Sequence, residues 1–177
     1  MNTKYLSLKS SKTTKIGLRT EGYIHYRVLS DQNQDQDQKL YFNITANDDG
    51  GYYSKEIIPF DSVEELVKNI KPNVAISSSL FRPVFMGQSN NNTAFLAAIL
   101  RAEKLLAPMA DAVKKHTVEA GWDRWRTDML KNVPKAKSFE PEVVKIDKGK
   151  KSSKKTVMPI ASEIDISDTE FELLQPK

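Results

Sequence analysis

Cysteine is absent from the 177 residues. That excludes disulfides and thiolate zinc sites, and it fits a reducing, cytoplasmic setting. Histidine is nearly absent too, with only His25 and His116. A Cys–His nucleophile pair is therefore impossible, H-E-x-x-H metal spacing is missing, and no G-x-S-x-G elbow presents a serine to a base. There is no Walker phosphate loop, and Gly50-Gly51 alone makes no dinucleotide fingerprint. No cofactor and no bound metal are expected from these patterns. Long hydrophobic runs are lacking as well: the opening MNTKYLSLKSSK holds no apolar stretch, and nowhere do 18 apolar residues follow one another. Neither a secretory signal nor a membrane span is expected.

What the chain does have is clustered charge. Its formal net charge of +4 hides four zones. Through Arg27, six basic residues (Lys4, Lys9, Lys12, Lys15, Arg19 and Arg27) face only Glu21. A near-neutral body follows. From Lys135 to Lys155, eight lysines face Glu140, Glu142 and Asp147, and beyond Thr156 five acids face Lys177. Charge segregated in this way speaks of partners and solvation rather than of fold. The expected organisation is a mobile basic arm over 1–14 and one globular domain over 15–133. Within that domain, 15–87 is β-rich and 88–133 helical. A Lys-rich linker (134–158) and an acidic tail (159–177) complete the chain.

The period-2 segments lie between Gly22 and Ile58. In GYIHYRVL, Ile24, Tyr26 and Val28 oppose Tyr23, His25 and Arg27. In KLYFNITA, Leu40, Phe42, Ile44 and Ala46 oppose Tyr41, Asn43 and Thr45. GYYSKEII is less regular, with Tyr53 and Lys55 opposite Tyr52, Ser54 and Glu56. Such alternation predicts three half-buried strands, one face greasy and the other mixing aromatic, amide and basic groups. The polar SDQNQDQDQ (30–38) reads as a loop, and its Asp31, Asp35 and Asp37 lack the glycine and closing Glu of a calcium hand. Asn47 to Gly51 supplies residues that tolerate positive φ, as a tight turn needs.

Downstream, DSVEELVKNIK predicts a short helix with Asp61 and Glu64 in a capping box. Val74–Ser77 and Leu80–Met86 read as two further extended pieces, with Pro83 marking an edge or bulge. The stripe Phe95, Leu96, Ile99, Leu100, Leu105 and Leu106 predicts a helix that Pro108 ends. A second helix is expected over 109–131, with Trp122 and Trp125 among its contacts. The fold class is thus α+β: a small antiparallel OB-like β-barrel or curved sheet, two C-terminal helices and a disordered tail.

Three strands, a helix and two more strands is the element order of the oligonucleotide/oligosaccharide-binding barrel, which residues 16–87 resemble. A compact domain, a lysine-containing linker and the end SEIDISDTEFELLQPK together resemble the layout of single-stranded-DNA-binding proteins of bacteria and their phages. That resemblance implies a role in DNA replication, with a tail that recruits partner enzymes through Glu163, Asp165, Asp168, Glu170 and Phe171. The family's tail usually terminates on an aromatic residue, whereas this one runs on through Leu-Leu-Gln-Pro-Lys.

The residues fit the chemistry of a single strand, which needs cations for phosphates and aromatic platforms for bases. Tyr23, Tyr41 and Tyr53 are the expected platforms, and Lys15, Arg19, Arg27 and Lys55 the expected phosphate contacts. The expectation is a non-catalytic single-stranded DNA-binding protein, of a phage or other mobile element, with homo-oligomerisation open. Against it stands the bland reading that tyrosines enrich strands and pair across them anyway. Two alternatives remain. One is an interaction adaptor working through helices that carry Phe95, Leu100, Trp122 and Trp125. The other is a metal-dependent nuclease whose carboxylates (Asp48, Asp49, Asp61, Glu64) converge in space.

Overall fold

A computed structural model of the chain describes residues 5–17, 21–31, 38–87, 90–110 and 112–131. All lie in one compact unit, Met1–Lys145. The second unit, Ile146–Lys177, falls outside the described residues, as does the expected linker and acidic tail.

The architecture is α+β with two antiparallel sheets. Strands β1 (Tyr5–Thr14), β2 (Tyr23–Asp31), β3 (Leu40–Asn47) and β4 (Ile57–Pro59) form a meander in the order β1-β2-β3-β4. Among the described residues β1 and β4 are its two edges, so the sheet does not close into a barrel. Helix α1 (Phe60–Val67) follows, then β5 (Ile76–Ser77) and a 3-10 helix over Ser78–Val84. Helix α2 (Asn90–Ala102) leads into the hairpin of β6 (Leu106–Met109) and β7 (Ala112–Val118), and α3 (Trp122–Lys131) completes the fold. The second sheet has the order β5-β7-β6.

Alternation set β2 and β3 as expected. Ile24, Tyr26 and Val28 are buried with Leu40, Phe42 and Ile44, and the register pairs Tyr26 with Ile44 and Val28 with Phe42. Helix α2 brings Leu96, Ile99 and Leu100 into the same core. Helix α3 adds aromatic rings: Trp125 stacks on Phe60 at 5.0 Å between centroids, and Trp122 lies 5.6 Å from Phe60. The indole N–H of Trp122 donates to the Leu105 carbonyl at 3.1 Å.

Five expectations change. The supposed mobile arm is, from Tyr5 on, the ten-residue β1, paired along its length with β2 and shifted in register between Ser7 and Lys9. Its lysines and serines read as solvated, yet an edge strand needs few apolar residues and tolerates charge. The third predicted strand shrinks to Ile57–Pro59, because Gly50 and Gly51 and the irregular alternation after them give the backbone nothing to hold a ladder. Helix α1 starts from Pro59 with no side-chain cap, since Asp61 and Glu64 both turn to Arg126 instead. Leu80–Val84 is 3-10 helix rather than strand, as Pro83 lacks the N–H that a ladder requires.

The largest change is at 106–118, predicted helical and in fact a β-hairpin. Lys104 adopts φ 60° and the N–H of Leu105 reaches back to the Leu100 carbonyl at 2.9 Å, closing α2 before Pro108. The β-branched Val113, Thr117 and Val118 then favour a strand.

Candidate nucleic-acid interface

Antiparallel partners share a face of the sheet. Thr14 lies opposite Tyr23, Lys12 opposite His25, and Ser10 opposite Arg27, while Arg27 opposes Asn43 and Leu29 opposes Tyr41. This set therefore occupies the face turned away from Ile24, Tyr26 and Val28. At one end Tyr23 is 40% exposed and the Lys12 ammonium sits 4.3 Å from its ring centroid. Beside it, His25 Nε2 lies 2.8 Å from Asp48 Oδ1, and the Tyr23 N–H donates to Asp48 Oδ2 at 3.2 Å. The His25 hydrogen bond holds the Asp48 carboxyl below the usual carboxylate range.

Gly22 makes this corner possible. Its φ is +80°, and a Cβ there would stand 2.5 Å from Asp49 Oδ1. Only glycine lets the β3–β4 turn press against the start of β2.

The expected site residues scatter. Lys15 pairs with Asp49, which neutralises it. Arg19 lies outside the described residues. Arg27 is half-buried and has partners of its own. Tyr41 is half-buried, meeting Tyr5 edge-on at 5.1 Å with its hydroxyl 3.5 Å from Asp31 Oδ2. Burial, then the Asp31 charge and the Tyr5 neighbour, push its phenol up to about 12. Tyr53 packs on the core and donates its hydroxyl to the Thr45 carbonyl at 2.7 Å, so it offers no open ring. Lys55 is exposed just before β4. Asn43 is buried, donating to the carbonyls of Lys55 at 3.1 Å and Glu56 at 3.3 Å.

Tyr23 and Tyr41 share a face but not a neighbourhood. Tyr41 aligns with Leu29, six residues along β2 from Tyr23, a separation of roughly 20 Å at strand rise. With Asp31, Asp48 and Asp49 interspersed, the face is mixed in charge. The cationic and aromatic end is the Lys12–Tyr23–His25 corner.

The adaptor surface is not where the sequence suggested. Phe95, Leu100 and Trp122 are buried, and Trp125 packs half-buried against Phe60. The nuclease carboxylates do not converge: Asp48 and Asp49 serve His25 and Lys15, whereas Asp61 and Glu64 share Arg126. Among the described residues no three His, Asp or Glu side chains are grouped to hold a metal ion.

His116 does meet a serine, Ser78, at 2.8 Å. Its Nδ1, however, accepts from Arg101 Nε at 2.8 Å, so its proton sits on Nε2 and is donated to Ser78. A histidine that donates to the serine cannot be its base.

Sequence reasoning missed Lys12, consigned to the arm, though its place two residues before Thr14 in an alternating run was the available signal. It also passed over Tyr52, at 70% the most exposed aromatic among the described residues. Glu103 went unnoticed as well. This carboxylate is buried, yet it accepts from Lys9 Nζ at 2.8 Å, from the Tyr26 hydroxyl and from Trp125 Nε1 at 3.0 Å. No helix among the described residues is long and apolar enough to cross a membrane. No family model matches the chain, and no curated protein or solved structure matches it either.

Proposed function

We propose that the chain binds single-stranded nucleic acid, DNA in the first instance, on the outer face of the four-stranded sheet. The observation that carries this is the exposed Tyr23 ring with the Lys12 ammonium at 4.3 Å, beside His25 and on the same face as Arg27. A base stacks on Tyr23 in such a site, and Lys12 and Arg27 meet the phosphates on either side. The OB-like reading enters in reduced form, with an open sheet face standing where a barrel groove would be. Tyr41 has a secondary place at the far end, and Tyr53 has none. The acidic tail from Glu163 to Phe171 recruits a protein partner in this reading, as the resembling family's tail does.

The test is titration of the full chain with fluorescent oligo-dT at several salt concentrations. The expected result is an affinity that falls linearly on a log–log plot as salt rises, with one or two counterions released. Binding that ignores salt, or survives Tyr23→Ala and Lys12→Gln unchanged, rejects this face. A protein-contact role would then use Tyr52 and Met86, which are 70% and 87% exposed, rather than the buried helices.

A further inference from the structure

Arg101, at the end of α2, is fixed from three directions. Its Nε donates to His116 Nδ1 at 2.8 Å, and Nη2 donates to the carbonyls of Val113 and Lys115, each at 2.8 Å. His116 is itself fixed by Ser78 and fully buried. These bonds explain half of the guanidinium. They hold β7 at the end of its pairing with β5, which reaches Lys115 but not Val113.

The other half is unexplained by packing. Every one of those acceptors is neutral. Guanidinium carries five N–H donors, and the two on Nη1 have no partner among the described residues. Partial burial draws the Arg101 pKa down, while the Nη1 edge stays open to solvent and to a ligand. The C-terminal end of α2 offsets part of the charge but brings no counterion.

A pocket of about 180 Å³ opens beside this side chain, between the end of β1 and the β6–β7 hairpin. Thr13, Thr14, Lys15, Ile16 and Val113 line it together with Arg101. The Lys15 ammonium is already paired with Asp49, so Arg101 is the cation left to the pocket.

We propose that this pocket binds a phosphate-class oxyanion, gripped by the Nη1 edge of Arg101 and the hydroxyl of Thr13, which lies on the inner face of β1, the side of the sheet that α2 covers. A guanidinium held rigid by neutral groups is preorganised for a tetrahedral anion, because its fork matches two oxygens without a carboxylate competing. The anion is either free phosphate or a phosphodiester of a nucleic-acid strand. The site does not depend on the sheet face binding anything.

The experiment follows backbone amide resonances of the full chain as inorganic phosphate replaces chloride at constant ionic strength, with oligo-dT added afterwards. Saturable shifts confined to 13–17 and Val113 are expected, with a Tm rise of roughly 5 °C at tenfold saturation. Arg101→Lys should lose about tenfold in phosphate affinity, since an ammonium cannot keep the fork. Because Arg101→Lys also loosens His116, Thr13→Val serves as a second variant, removing the hydroxyl while keeping the shape and the Tm. Displacement of phosphate by oligo-dT assigns the site to a strand's backbone, and coexistence assigns it to free phosphate. Absence of saturable shifts, or shifts unchanged in both variants, overturns the proposal. Oligo-dT binding in a chain that shows no saturable phosphate shifts overturns it and leaves the sheet face standing.

Discussion

Tyr23 and Tyr26 stand three residues apart on one strand and live in different solvents. Tyr26 is 2% exposed, its hydroxyl given to the buried Glu103 carboxylate, and burial with that carboxylate keeps the phenol protonated far above its ordinary range. Tyr23 is 40% exposed, with the Lys12 ammonium over its ring. The inner face spends its polar groups on holding β1, β2, α2 and α3 together through Glu103. The outer face keeps a ring and a cation available. The residue type is the same, and the parity of the position decides what it does.

The comparison breaks most visibly at Glu103. Replacing it with alanine strands the Lys9 ammonium, the Tyr26 hydroxyl and the Trp125 N–H at once. Urea unfolding should report a loss of about 3 kcal/mol, and a loss under 1 would mean the inner network is ornamental.

His116 gives a pH signature of the same interior. Burial, with Arg101 beside it, lowers its pKa from 6.5 to about 4. The unfolded chain therefore binds a proton that the folded one refuses. The contribution is complete above pH 6.5 and is lost as pH falls toward 4, by roughly 3 kcal/mol. Imidazole resonances of His116 that stay neutral at pH 5, with a stability slope flattened in His116→Asn, are the expected outcome.

On the outer face Tyr23→Ala should change stability by no more than about 0.5 kcal/mol. It should weaken oligo-dT binding by ~1–3 kcal/mol. Unfolding in that variant would erase the contrast with Tyr26. The smallest effect is expected from Lys12→Gln, about 0.5 kcal/mol in binding and less in stability, as befits an exposed cation–π contact. Deleting the residues after Met158 should leave oligo-dT binding intact or tighter, because negative charge is removed.

Alternation made β2 and β3 legible, together with the burial of Ile24, Val28, Phe42 and Ile44, since one register satisfies both neighbours. Tyr53 was misjudged because parity fails where no ladder exists: residues 51–56 carry no strand, and the ring turns inward to the Thr45 carbonyl. The hairpin at 106–118 was hidden because its apolar residues also fit a helical stripe, and the left-handed turn at Lys104 has no glycine to announce it. Glu103 and Arg101 acquire meaning only from partners 77 and 15 residues away, respectively, which no local pattern carries.

The shift of register beside Leu8 has its own effect on how copies of this chain meet. Among the described residues β1 is paired on one side only, which leaves every other backbone amide along its ten residues facing outward. A flat edge of that length invites a neighbour to continue the ladder, and repeated invitations end in fibres. Here the row is kinked by the misalignment between Ser7 and Lys9, and Lys12 stands beside it, so an approaching edge meets a bend and a positive charge.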